Sequence, residues 1–115
     1  MLIEKVVLEH LKTKLDISDI YLETPSDLPE RFVLFRVEDR GKVNHIDAVT
    51  LEIFSEADSK LEAAELDHSV RIAMESLAEN SYVSSSKPGG GRDEPDNMLK
   101  KYRYVCYYNV IYYDD

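Results

Sequence analysis

The sequence predicts a single α+β domain in which two helices pack on a mixed or antiparallel sheet of about four to five strands. Three observations favour this class. Two stretches carry apolar residues at helical spacing, two others alternate apolar and polar residues around a glycine turn, and the chain ends in a long aromatic and β-branched run. At 115 residues the chain has room for one core, so residues 1–115 are expected to form one domain.

The first helical pattern opens the chain. Apolar residues recur at every fourth position from Ile3 to Leu15, and charged residues fill most of the opposite side, as in an amphipathic helix. The next segment, Ile20 to Glu23, has the composition of a short strand. Pro25 and Pro29 end it, because a proline has no amide hydrogen and restricts the residue before it.

A β-hairpin is predicted next. Apolar and polar residues alternate in Phe32 to Glu38, and the same alternation returns in Ile46 to Phe54. Between the two segments, Gly41 supplies the conformational freedom that a tight turn favours. The alternation places one face of the hairpin in the core and leaves the other face partly hydrated.

The second helical pattern is longer than the first. Ser55 precedes it and Asp58 lies three residues further on, the spacing by which a serine and an acid cap a helix, so the helix is expected to begin there. One apolar stripe, about 100° wide, is expected to face the sheet. It comprises Ala63, Leu66, Val70, Ala73, Met74 and Leu77.

A second stripe on this helix has two interpretations. Leu61, His68 and Ile72 lie nearly opposite the sheet-facing stripe, flanked by Glu65 and Glu79. In the first interpretation these residues pack beneath the opening helix or stand as isolated apolar residues on the surface. In the second they contact another subunit, which makes all three candidate interface residues.

A short strand, Ser81 to Ser84, precedes an abrupt change of composition. Residues 85–98 are rich in glycine and proline and predict a mobile loop. Its lysine precedes three glycines, but no serine or threonine follows in the position of a phosphate-binding loop, and no helix follows either. Ordering on assembly would suit such a loop. Its candidate partner contacts are Arg92, Asp93, Glu94 and Asp96.

The segment Tyr102 to Tyr113 predicts one long terminal strand. It holds six of the eight tyrosines, and counting alternate positions leaves neither face polar. A strand that is apolar on both sides must be covered twice, so a helix or a neighbouring subunit is expected to take the second face. Tyr108 and Tyr112 are therefore candidate interface residues.

The charge of the chain argues against several classes of partner. Twenty-three acidic and fourteen basic residues give a net charge of −9. Sequence-specific nucleic-acid binding requires a basic face, which the sequence lacks, although DNA could pass such a surface without adsorbing. No apolar run approaches the roughly 20 residues of a membrane helix, and the opening residues lack the order of a signal peptide, so a cytosolic protein without membrane contact is expected.

The residues predict neither an enzyme nor a cofactor or metal site. His10, His45 and His68 fall in three different elements, without the spacing of a helical metal site. Cys106, the single cysteine, is expected to be a reduced thiol in the core. A small enzyme or ligand-binding domain remains an alternative, and it requires a concave pocket that joins at least two of His45, His68 and Cys106.

The order of the predicted elements, with several local motifs, resembles one protein family across nearly the whole chain. The motifs are Pro25 and Pro29, Asp39-Arg40-Gly41, Asp47 to Ser55, Glu62 to Leu66, Pro95-Asp96 and Arg103-Tyr104. They are similar to the small tail-terminator proteins of long-tailed bacteriophages and prophages, also called tail completion or tail-to-head joining proteins. The chain departs from that pattern at Tyr112 to Asp115, where a basic residue is more usual.

The resemblance implies a structural protein of virion assembly that forms a ring of six copies at the head-proximal end of the tail tube. Such a ring would stop tube growth and present a surface for head–tail joining. The implied partners are further copies of the chain, the tail tube protein and the head–tail connector or stopper protein. The implied locations are the cytoplasm of the bacterial host during assembly and then the tail of the virion. A different head–tail connector, completion or adaptor protein remains the alternative.

Overall fold

The computed structural model describes residues 2–43, 46–93 and 101–113. Its elements follow the order helix, three strands, helix, two strands, which confirms the predicted α+β class and order. They are α1 (Ile3–Lys14), β1 (Ile20–Tyr21), β2 (Arg31–Val43), β3 (Ile46–Ala57), α2 (Lys60–Glu75), a short 3₁₀ turn (Leu77–Glu79), β4 (Val83–Asp93) and β5 (Tyr102–Tyr112).

The described strands form one mixed sheet in the order β1-β2-β3-β5-β4. β1 runs parallel to β2, and every other neighbouring pair is antiparallel. β3 lies in the centre, paired with β2 through Arg31↔Ala57 at one end and with β5 through Asp47↔Tyr112 at the other. The chain is therefore elongated along the strands, with extents of 43 × 25 × 23 Å.

Both helices pack on one side of this sheet, hereafter the covered face. The core between the layers holds Val7 and Leu11 of α1 and alternate residues of the strands, such as Phe35 and Ile53. The predicted sheet-facing stripe of α2 is confirmed, since all six of its residues are buried. They are Ala63, Leu66, Val70, Ala73, Met74 and Leu77.

The start of α2 corrects one prediction. Ser55 is buried inside β3, which continues to Ala57 because it pairs on both sides, so Ser55 cannot cap the helix. Ser59 is the cap: its Oγ accepts a hydrogen bond from the Glu62 amide at 3.1 Å and donates one to Glu62 Oε1 at 3.1 Å. The serine cap therefore lies four residues later than predicted, with Glu62 three residues after it.

The glycine-rich segment corrects a second prediction. Residues 85–93, expected to lie in a mobile loop, belong to β4 and pair with β5. The register shifts between Pro88 and Gly91, where Gly90 has φ 108°, a conformation that favours glycine. Pro88 is tolerated because β4 is the outer strand of the described sheet. The remainder of the predicted loop, residues 94–98, lies outside the described residues.

The terminal strand is confirmed, but its predicted interface tyrosines are not at the surface. Tyr108 and Tyr112 are only 2% and 5% exposed, because both point to the covered face, where the helices of the same chain bury them. The prediction that Tyr108 and Tyr112 are interface residues is therefore wrong. Within residues 2–43, 46–93 and 101–113, every helix is too short or too polar to cross a bilayer.

Candidate interaction surfaces

The side of the sheet away from the helices, hereafter the open face, is the first candidate surface. The side chains of a strand alternate between the two faces, so the strand residues between those of the core project here. In register across β2, β3 and β5, the open face carries Leu34, Phe54 and Val105 in one row, Arg36, Glu52 and Tyr107 in the next, and Glu38, Thr50 and Asn109 in the third.

One half of the open face is covered by arginine side chains, and we call it the arginine half. Phe54 is buried there between two guanidinium groups, with the Cζ atoms of Arg36 and Arg103 at 5.4 Å and 4.9 Å from its ring centroid. Val105, beside it on β5, is fully buried. These apolar residues of the second face are thus covered by their own chain, and the expected helix or subunit is not required at this point.

A hydrogen-bond network fixes the arginines of this half. The carboxylate of Glu52, which is itself buried, accepts from Arg36 Nε through Oε1 and from the Tyr107 hydroxyl through Oε2 at 2.8 Å. Arg92 Nη1 donates to the Tyr107 hydroxyl at 2.9 Å. The hydrogen bond to Glu52 raises the pKa of Arg36 above its ordinary value, which keeps the guanidinium charged.

The other half of the open face has no arginine cover among the described residues, and we call it the apolar end. Tyr113 N donates to Tyr82 O at 2.8 Å, which brings these two tyrosines side by side. Tyr82, Tyr113 and Ile111 are between 36% and 46% exposed. Ile46 and Ala48 of β3, on the same face, are partly buried. The apolar end therefore consists of Ile46, Ala48, Tyr82, Ile111 and Tyr113.

The solvent side of α2, hereafter the outer surface of α2, is the second candidate surface. Leu61 and Ile72 are 70% and 54% exposed, and His68 is exposed between them. The interpretation that these three residues pack beneath the opening helix is therefore wrong. Ile72 instead borders an open groove of about 410 Å³, together with Ser76, Glu79 and Lys14. Whether the stripe contacts a subunit stays a prediction.

The remaining candidate residues fall at one end of the sheet or outside the described residues. Arg92 and Asp93 are exposed at the end of β4, and the Asp93 carboxylate lies 3.4 Å from Lys60 Nζ of α2. Glu94 and Asp96 lie outside the described residues, as does His45. The structure therefore brings Arg92 together with the network of Glu52, and Asp93 together with the first turn of α2.

The environment of Cys106 makes it a poor nucleophile. The thiol is fully buried, and burial, followed by the negative charge of Asp67, raises its pKa to about 12. Arg71 Nε donates to Asp67 Oδ2 at 2.8 Å, and its guanidinium only partly opposes this shift. Since His68 is exposed on the outer surface of α2, the buried thiol and this imidazole do not share a pocket.

The other titratable groups have structural contacts. His10 Nε2 of α1 lies 2.7 Å from the Ala73 carbonyl oxygen and 3.1 Å from Ser76 Oγ at the end of α2. This contact satisfies a carbonyl in the last turn of α2 and joins the two helices. Across residues 2–43, 46–93 and 101–113, the His, Cys, Asp and Glu side chains form no group of three or more that could hold a metal ion.

The arginine half was not predicted from the sequence. Its members, Arg36, Glu52 and Tyr107, lie on three strands, and only the register of the sheet brings them together. One signal was present: Arg36 and Glu52 are opposite charges on the non-core faces of the two predicted hairpin strands.

Comparison with models of known protein families found no match, and comparison with curated proteins found none either. A function for this chain therefore has to be inferred from its surfaces and its sequence pattern.

Proposed function

We propose that this chain is a structural protein of bacteriophage or prophage morphogenesis. It assembles into a ring, of six copies, at the head-proximal end of the tail tube. There it terminates tail growth and offers a surface for head–tail joining. Its partners are further copies of itself, the tail tube protein and the head–tail connector or stopper protein, and DNA passes through the ring without sequence-specific contact. It acts first in the cytoplasm of the bacterial host and then in the tail of the virion.

The observation that carries this proposal is a pair of exposed apolar surfaces on opposite sides of a two-layer fold. Leu61 and Ile72 project from the helix layer, whereas Ile111 and Tyr113 project from the open face of the sheet. Two different surfaces that face away from each other favour a head-to-tail contact between copies, and such contacts close into a ring when the rotation between copies permits it. A symmetric dimer would use one surface twice.

The sequence pattern adds the position in the virion. The resemblance to tail-terminator proteins implies the tube end as the place of assembly, and the order of elements on which that resemblance depends is the order of the structure. The net charge of −9 supports a lumen through which DNA moves freely, since like charges discourage adsorption within a Debye length of about 10 Å.

The test is a mass measurement with and without tail tube. We expect native mass spectrometry or sedimentation to give a multiple of 13.3 kDa, alone at high concentration or on addition of purified tubes. Negative-stain microscopy should then show a ring capping one end of each tube. A monomer that leaves tube ends bare and tube length unlimited would contradict the proposal, and a closed dimer that binds a portal-like partner would favour another adaptor protein instead.

A matched pair of variants separates assembly from folding. Ile72→Lys places a charge on the outer surface of α2 and should abolish assembly while the melting temperature stays within about 2 °C, because an exposed side chain contributes little to folding. Leu22→Lys makes the same change at an exposed leucine after β1 and should assemble normally. If Ile72→Lys unfolds the protein, Ile72 belongs to the core instead.

A further inference from the structure

We infer that the outer surface of α2 in one copy docks on the open face of the sheet in the next copy. This inference rests on the self-assembly proposed above and names the surfaces that meet. The occupant of the open face is thus a second copy of the chain, and each copy contributes one surface of each kind.

Charge is the first argument, because the two surfaces have opposite signs in a strongly acidic protein. The strand residues of the open face carry more bases than acids: Arg36, Lys87, Arg92 and Arg103 against Glu38, Glu52 and Glu56. The outer surface of α2 and the turn after it carry mainly acids: Glu62, Glu65, Glu75 and Glu79 against Lys60. Complementary charges favour association of these two surfaces and oppose contact of either with itself.

Position along the strands is the second argument. α2 runs antiparallel to β4, because Lys60 at the start of the helix is paired with Asp93 at the end of the strand, and the Met74 carbonyl near the end of the helix accepts from Ser86 Oγ at 3.1 Å. Each turn of α2 therefore has a known level on the sheet.

In a ring whose axis is parallel to the strands, the rotation from one copy to the next keeps every residue at its own height along that axis. Residues at the same level of neighbouring copies therefore face each other, and these pairs are complementary. Glu65 is five residues after Lys60, about 7.5 Å along the helix, which corresponds to about two strand residues from Asp93 and so to the level of Gly91, next to Arg92. Ile72 lies near the level of Ser86, which pairs with Val110 next to Ile111. Docking thus places an acid of α2 at the arginine half and an exposed isoleucine at the apolar end.

The test is a charge exchange between the two surfaces. Glu65→Lys alone and Arg92→Glu alone should each weaken association about tenfold or more, because each brings like charges together at every contact. An equimolar mixture of the two variants should assemble as the wild type does. In an alternating ring the introduced lysine of one variant would meet the introduced glutamate of the other, and the unchanged Glu65 would meet the unchanged Arg92, so every contact is again complementary.

The control is Glu9→Lys, an exposed glutamate on α1 with the same local setting. Its carbonyl accepts from the Thr13 hydroxyl, as that of Glu65 accepts from the Ser69 hydroxyl, each from the residue four positions later. Glu9→Lys changes the net charge equally and should leave association at the wild-type level or slightly stronger. If Arg92→Glu fails to fold, Arg92→Gln takes its place: it removes the charge at the same position, should weaken association by itself, and should partly rescue Glu65→Lys in the mixture because the introduced lysine no longer meets an arginine.

Three outcomes overturn the docking of these surfaces: wild-type association that Glu65→Lys does not weaken, variants that the mixture does not rescue, or a chain that stays monomeric at every concentration and ionic strength. In the first two, a wild type that still rings tube ends leaves the proposed function standing. Bare tube ends with the wild type would refute the proposed function itself.

Discussion

The two halves of the open face differ in how they protect apolar residues. In the arginine half, Phe54 and Val105 are buried although neither described helix lies over them, because the guanidinium groups of two arginines lie over Phe54 and one of these arginines, Arg36, is held by Glu52. At the apolar end, Ile111 and Tyr113 have no such cover among the described residues and remain exposed. A sheet therefore does not need a second layer wherever arginine and glutamate can be placed over its aromatic residues.

The difference also separates folding from assembly. A side chain that its own chain buries contributes to the stability of the monomer, whereas an exposed apolar side chain contributes little until a partner covers it. The arginine half should therefore be sensitive to substitution in unfolding experiments, and the apolar end in association experiments.

The largest expected effect is on the free energy of unfolding. Phe54→Ala should lower it by about 3–5 kcal/mol, because it removes a buried ring and the support of two guanidinium groups. Ile111→Ala, on the same face at the apolar end, should lower it by less than about 1 kcal/mol. Urea unfolding of the two variants measures both values. Equal losses would show that the two halves are not distinct.

The network of Glu52 should give the next largest effect. Glu52→Ala leaves the Tyr107 hydroxyl without its acceptor and removes the buried carboxylate partner of Arg36, which keeps only its ion pair with the more exposed Glu38, so it should cost about 2–3 kcal/mol of unfolding free energy. Thr50→Ala is the control in the next row of β3, where the hydroxyl makes a single exposed contact with Asn109 at 3.2 Å. A Glu52→Ala variant as stable as Thr50→Ala would mean that the network does not hold the arginines in place.

The covered face can be distinguished from the open face by its response to alkali, because it contains a buried thiol. The pKa of Cys106 is raised from 9.0 to about 12 in the folded protein, so between these pH values the unfolded chain loses its thiol proton and the folded chain keeps it. The contribution of the Cys106 thiol to the free energy of unfolding should thus be complete below pH 9. Above pH 9 it should fall, by at most about 1.4 kcal/mol per pH unit. Urea unfolding at pH 8 and pH 10 measures the loss.

Cys106→Ala controls for the other groups that titrate in this range, since burial also raises the pKa of Tyr108 above its ordinary value. Between pH 8 and pH 10, Cys106→Ala should still lose unfolding free energy, but less than the wild type loses. If wild type and Cys106→Ala lose the same stability between pH 8 and pH 10, the buried thiol is not the group responsible.

Local periodicity was enough to predict most of the fold. The 3.6-residue repeat identified the buried stripe of α2, and alternation identified β5, because both patterns reflect which side of an element is buried. The prediction that Ser55 caps α2 was wrong because β3 pairs on both sides, which extends the strand past Ser55. The prediction of a mobile loop at residues 85–93 was wrong because glycine content indicates only chain flexibility. Hydrogen bonding to β5 decides whether a strand forms there.

The candidate surfaces were harder to predict for a physical reason. Alternation assigns Tyr108 and Ile111 to opposite faces of β5, but it does not say which face the helices cover. The pairing of Arg36 with Glu52 depends on the register between strands, which the hydrophobic pattern and the turn that joins the strands set together. The angle of Ile72 to the buried stripe directs it away from the sheet, but only the position of α1 decides that it is exposed.

Salt should produce the smallest effect and act on association rather than on folding. Copies of charge −9 repel one another over a Debye length of about 30 Å at 0.01 M salt and about 10 Å at 0.1 M, whereas pairs covered at a contact are screened much less. We therefore expect association to strengthen a few-fold between these salt concentrations, with the mid-point of urea unfolding nearly unchanged. Sedimentation at both concentrations measures the change. Rings that are strongest at low salt would mean that attraction between the two surfaces outweighs repulsion between the whole copies.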